Sequence, residues 1–151
     1  MIDLIFVATA LALNLLIAGI SIATRHTSVR WVRRIGIAFI CLALPFSIVF
    51  IEALITGQQT WIITFLGLTL VYILVELLFD FILKIEFRKM PILHIPYLIL
   101  FYIVLFGLIG IAFSIGRIWG WLVSVSFWLL LASLIYMLMG RKNEQIHRHT
   151  A

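Results

Sequence analysis

IPYLILFYIVLFGLIGIAFSIGRIWGWLVSVSFWLLLASLIYMLM, residues Ile95 to Met139, carries one charged residue, Arg117, in 45 positions. As one α-helix it would be about 65 Å long at 1.5 Å per residue, twice the ~30 Å of a bilayer's hydrocarbon core. A chain that stays in lipid must therefore turn back inside this stretch. Ile115-Gly116-Arg117 is the place, since glycine allows a tight turn and Arg117 seeks water. The stretch reads as two spans, Ile95–Ile115 and Ile118–Met139, joined by a minimal loop.

Working outward, three further apolar runs have the same character: Leu4–Ala23, Ile35–Ile55 and Trp61–Leu83, of 20, 21 and 23 residues. Each is long enough to cross a bilayer as a helix. Their apolar residues are continuous rather than alternating, which favours helices over barrel strands. Apolar residues make up 65% of the chain, charged residues 11%, and mean hydropathy is +1.25. A water-soluble domain is about half apolar and a quarter charged. The expectation is an all-α integral membrane protein, a bundle of five transmembrane helices forming a single polytopic domain over residues 1–151. Four spans with a re-entrant last hairpin is the main rival. Asp3 in place of a basic start and a first apolar run of 20 residues argue for a retained span rather than a cleavable signal peptide.

The cations set an orientation. Arg25, Arg30, Arg33, Arg34, Lys84, Arg88, Lys89, Arg141, Lys142 and Arg148 fall on one side of a five-span chain, and Arg117 alone on the other, so ten of eleven share a face. The positive-inside tendency then puts the N-terminus outside and the C-terminus in the cytoplasm, in a plasma or inner membrane. Trp61, Trp119 and Trp121 fall at the outer boundary, Trp31 and Tyr97 at the inner one, where aromatic belts sit. The net charge of +5 therefore points to anionic lipid heads rather than to nucleic acid.

Ionisable and polar groups within the spans are the candidate functional residues, because each costs about 2.5–3.5 kcal/mol at mid-bilayer on insertion scales. In the third span Thr69, Tyr72, Glu76 and Asp80 are spaced to share one helix face, which continues as Lys84 and Arg88. Glu76 lies about 10 Å from the cytoplasmic end. Asp80 is read as paired with Lys84, or else as the cytoplasmic mouth of a path through Glu76. In the second span Pro45 removes a helix hydrogen bond and frees the Cys41 carbonyl, and Cys41 is expected to be buried and inert. Glu52 lies near the outer boundary, either snorkelling or forming an outer counterpart to Glu76. In the first span Asn14 sits near mid-bilayer on a face with Ala10, Ala18 and Ser21, a helix-packing seam. If that face meets the third span, Asn14 could help satisfy Glu76 or Tyr72. Gly107, Gly110 and Ser114 in the fourth span, with Ser126 and Ser133 in the fifth, describe close-packing faces.

No nucleotide loop, nucleophile elbow, zinc signature or paired cysteine is present, and no cofactor or metal ligand set is expected. His94, flanked by Pro91 and Pro96 at the inner boundary, is a candidate interfacial acid–base residue alongside Asp80 or Glu86. Three functions follow. The first is translocation of a proton, cation or small cationic solute, with Glu76 central, Asp80 and Glu52 at the mouths and Asn14 and Tyr72 in support, in a homo-oligomer. The second is a non-catalytic accessory or assembly subunit among other membrane subunits. The third is an interfacial lipid-modifying enzyme built on His94.

Overall fold

In a computed structural model the described residues form five helices: α1 (Ile2–His26), α2 (Ala43–Ile55), α3 (Thr60–Glu76), α4 (Pro91–Ile115) and α5 (Arg117–His149). The structure describes residues 2–26, 36–78 and 91–149, and the side chains of 2–23, 36–78, 95–137 and 139. Among the described residues there is no strand. The all-α bundle of five helices expected from the sequence is what forms. Four apolar segments, Ile2–Ala23, Gly36–Ile55, Ile95–Ile115 and Arg117–Met137, are long enough to cross a membrane. The fifth helix, α3, has 17 residues, about 25 Å, at the short end of the spanning range. The remainder of the third span, residues 79–83 with Asp80, lies outside the described residues.

The second span is helical in two pieces that meet at Leu42. Pro45 offers no N–H to the Cys41 carbonyl and its ring crowds that carbonyl, so the helix cannot run through unbroken. Leu42 instead bonds back to the Phe39 carbonyl at 3.1 Å, and the regular pattern resumes with Phe46 on Leu42 at 3.2 Å. On both sides of the break, Ile37, Cys41, Leu44, Ile48, Ile51 and Ile55 recur every three or four residues on the outward face. Cys41 is therefore exposed rather than buried, the opposite of the sequence expectation. Phe39, Phe46, Val49 and Ala53 fill the inward face.

Two tight turns fix neighbouring helices antiparallel. After α2 the chain reverses through Thr56–Gln59, with Gly57 at φ 64°, Gln58 N–H on the Ala53 carbonyl at 3.0 Å and Gly57 N–H on Leu54 at 3.3 Å. This is the glycine-terminated helix end in which a left-handed residue satisfies the last carbonyls. Between α4 and α5 a single residue, Gly116, makes the reversal that the quoted stretch demands.

Contacts across the bundle give the register. Trp61 lies beside Gly110, Phe65 on Gly107, Tyr72 against Phe101 and Glu76 against Tyr97, so α3 and α4 run antiparallel. Phe6 meets Phe46 between α1 and α2, Phe50 covers Gly67 between α2 and α3, and Phe106 meets Phe127 between α4 and α5. The helix α1 packs along α5 and closes the ring of five. The two tight turns consequently share one end of the bundle. The core runs through its middle, with Ala10 and Leu13, Phe46, Leu66, Val104, Leu105, Leu108 and Ala112, and Val123 and Leu130 buried together.

The outside of the bundle is as oily as the inside. Ile55, Phe106, Ile118 and Trp128 are 80%, 60%, 75% and 67% exposed. Leaving such a side chain in water instead of burying it costs about 1.5–3 kcal/mol. A surface built this way is stable when hydrocarbon is the solvent.

The glycine face of α4 does its packing inside the chain. A Cβ on Gly107 would stand 2.2 Å from Cδ1 of Phe65, and the contact is with the base of the ring, not a flexible tip. Gly107→Leu is expected to lower unfolding stability in detergent by about 1–3 kcal/mol, the usual cost of overpacking. Thermal melting reads this, and adding Phe65→Ala restores part of the loss.

Candidate functional site

Tyr72 and Glu76 are four residues apart on α3, so the 3.6-residue turn stacks them on one face. That face points at α4. The Tyr72 hydroxyl donates to Glu76 Oε1 at 3.2 Å. The Tyr97 hydroxyl of α4 donates to the same oxygen. The two hydroxyl oxygens are 3.1 Å apart. One carboxylate oxygen and two phenols thus form a closed triangle that bridges two helices.

Aromatic rings hold the triangle in place. Tyr72 is 1% exposed. Its ring meets Phe39 of the second span edge-on at 6.0 Å and 89°, and lies against Tyr97 and Phe101 of α4, each at 5.8 Å. Edge-to-face and tilted pairs at these separations add about 0.5–1.5 kcal/mol each beyond burial. Thr69, one turn earlier on the same stripe, is fully buried and returns its hydroxyl to the Phe65 carbonyl at 2.8 Å. Glu76 and Tyr97 are half-buried, on the edge of this cluster. Two hydroxyl donors satisfy one of the two carboxylate oxygens inside the bundle.

The other candidate residues stand elsewhere. Asn14 does not reach α3. Its amide Nδ2 donates to Ser126 Oγ of α5 at 2.7 Å, and Ser126 in turn donates to the Val123 carbonyl at 2.7 Å. Asn14 is 1% exposed and its Oδ1 has no hydrogen-bond partner. The small-residue seam of α1 therefore packs on α5, with Ala10 and Ala18 giving the close approach. Glu52 is half-buried one turn before the Thr56–Gln59 reversal. It thus belongs to the end where α3 begins, whereas Glu76 closes α3 about 24 Å away along the axis. His94 falls in the first turn of α4, its side chain outside the described residues, as is the whole of Asp80. The described candidate residues therefore occupy three levels, Glu52, Asn14 with Ser126, and Tyr72–Glu76–Tyr97, and the last joins two of them.

Tyr97 is the member that sequence reasoning placed otherwise, in an interfacial belt. Its role depends on which α4 residue faces Glu76, and that is set by the packing of Phe65 and Trp61 on Gly107 and Gly110.

The Asn14–Ser126 pair yields a stability prediction. Ser126→Ala leaves the Asn14 amide without its partner in an apolar core and is expected to cost about 0.6–1.7 kcal/mol, the range measured for such bonds between membrane helices. Asn14→Leu, of similar volume, removes both the donor and the unpaired oxygen and is expected to change stability by less. Melting curves of the two variants in one detergent compare them directly.

An open, wholly apolar groove of about 530 Å³ runs along α4, lined by Phe65, Ile95, Leu98, Ile99, Tyr102, Ile103 and Phe106. It lies on the outward side of α4 and does not include Glu76. In comparisons with known proteins, no family model, no curated protein and no solved structure matches the chain.

Proposed function

We propose that the chain is a small transporter or channel that moves a proton, a cation or a small cationic solute across a plasma or inner membrane, with Glu76 as the group that holds it. In this reading the N-terminus lies outside and the C-terminus in the cytoplasm, because ten of the eleven lysines and arginines then share the cytoplasmic side. The observation that carries the reading is the Tyr72–Glu76–Tyr97 triangle. An ionisable residue at membrane depth is costly, faces the bundle interior or water, and is characteristic of ion and proton paths. Here the carboxylate is held by donors from two different helices, α3 and α4, which fixes it between them at one level of the bundle.

Two facts sharpen the reading. Tyr72 and Glu76 are the supporting and binding groups assigned by the helix stripe, and they are in contact. Asn14 is engaged on α5, so its part is to lock α1 onto α5 rather than to support Glu76. The test is flux into liposomes containing the purified chain, driven by a membrane potential. Uptake above that of protein-free liposomes, lost in Glu76→Gln, supports the proposal. Uptake that survives Glu76→Gln removes it.

A further inference from the structure

We propose that the species held at Glu76 is the proton, and that the hydroxyls of Tyr72 and Tyr97 keep the carboxyl group hydrogen-bonded in both charge states, the three groups closing into a ring when Glu76 is protonated. The inference rests on the reading of Glu76 as the binding group and narrows what it binds.

The geometry of the triangle supports two bonding patterns, one of two hydrogen bonds and one of three. With Glu76 ionised, both hydroxyls donate to Oε1, that of Tyr72 across 3.2 Å, and the side between the two hydroxyls carries no hydrogen. With Glu76 protonated on Oε1, the new O–H donates to the Tyr97 oxygen. The Tyr97 O–H then turns to the Tyr72 oxygen, 3.1 Å away, and the Tyr72 O–H keeps its bond to Oε1. Loading forms one O–H bond, breaks no covalent bond of the chain, and takes the carboxylate from charge −1 to neutral; release is the reverse. Phenols suit this exchange because each is both donor and acceptor and its hydrogen rotates freely.

Larger cargo fits poorly. A calcium or magnesium ion asks for about six or more oxygen ligands. The two phenols offer two oxygens, and the far side of the Tyr72 ring is occupied by Phe39 and Phe101. An organic ammonium would need an open ring face within about 6 Å of the centroid. The Tyr72 ring is 1% exposed and already meets Phe39, Tyr97 and Phe101 at 6.0, 5.8 and 5.8 Å. Tyr72 from α3 and Tyr97 from α4 are titratable groups that face Glu76, and Phe39 of the second span packs on the Tyr72 ring. Asp80, four positions on, lies outside the described residues.

The experiment is infrared difference spectroscopy on the full chain in lipid nanodiscs, stepped in pH, with liposome flux measured in parallel. The expected result is a protonated-carboxyl band that grows on acidification, vanishes in Glu76→Gln, and moves in Tyr97→Phe because the carboxyl loses its acceptor. Glu76→Asp keeps the acid and shifts the band, which assigns it even if the glutamine variant does not assemble. Sodium, calcium and tetramethylammonium are expected to leave the band unchanged. If one of them discharges the band and is itself taken up by liposomes, the proton inference falls while Glu76 keeps its binding role. A band indifferent to Tyr97→Phe overturns the ring. No band and no flux of any of these ions overturns both the inference and the reading beneath it.

Discussion

Glu76→Gln is expected to reduce potential-driven proton uptake to the leak of protein-free liposomes, while the variant remains folded. Glutamine has the same length and shape and keeps an acceptor oxygen for the hydroxyls of Tyr72 and Tyr97. It cannot take up and release a proton. The helix contacts around it, Tyr72 on Phe39 and on Phe101, do not depend on its charge. Function and fold are therefore separable at this position, which is what makes the substitution decisive. Tyr97→Phe removes one hydroxyl donor and keeps the ring against Tyr72. A hydrogen bond to a charged group is worth about 1.5–3 kcal/mol, so the variant is expected to lose about tenfold or more in flux and to melt lower by at most that energy. The opposite pattern, normal flux with weakened assembly in both variants, would assign the triangle to holding α3 on α4 and the chain to an accessory role.

The sequence shows the fold because the bilayer imposes it. Five long apolar runs have no other way to satisfy their backbone than as helices, and the Ile95–Met139 stretch exceeds one crossing so plainly that Gly116 must turn it. The stripe of Tyr72 and Glu76 is equally legible, since helix periodicity alone puts residues four apart on one face. What one helix faces is a different matter. Setting α3 against α4 by the hydropathy boundaries Leu83 and Ile95 would put Tyr102 opposite Glu76. The actual partner is Tyr97, about five residues away, and Tyr102 is 38% exposed on the outer side. The register is set instead by aromatic rings seated on glycines: Phe65 over Gly107 and Trp61 beside Gly110. Interhelical contacts of this kind leave no periodic signal. The same holds for Asn14. Its seam of small residues announces a close neighbour without saying which, and α5, the last helix, rather than α3 supplies it.

A cysteine at Gln58 is expected to react with an impermeant maleimide from outside intact cells, and one at Asn143 only after the membrane is opened, in a chain carrying Cys41→Ala. The effect is all or none. Gln58 is exposed in the reversal between α2 and α3. The contacts of Trp61 with Gly110 and of Phe113 with Gly120 bring that reversal and the Gly116 turn to one end of the bundle, so a single label there reports both. Asn143 follows Arg141 and Lys142 in the part of α5 beyond its apolar segment. Reversing the chain would carry ten cations across for the one that crosses now. Each costs about 2.3 kcal/mol per 100 mV of inside-negative potential when drawn outward, in addition to the loss of anionic lipid around it. Reaction of both positions from the same side would mean an even number of crossings, and α3, at 17 residues the shortest of the five apolar segments, would be the one that fails to span. Glu76 would then sit on a helix that does not cross. The orientation therefore decides more than topology, since a carboxylate at the cytoplasmic end of a spanning helix can exchange protons with the cytoplasm, and one on a helix lying short of the far surface has no second side to deliver them to.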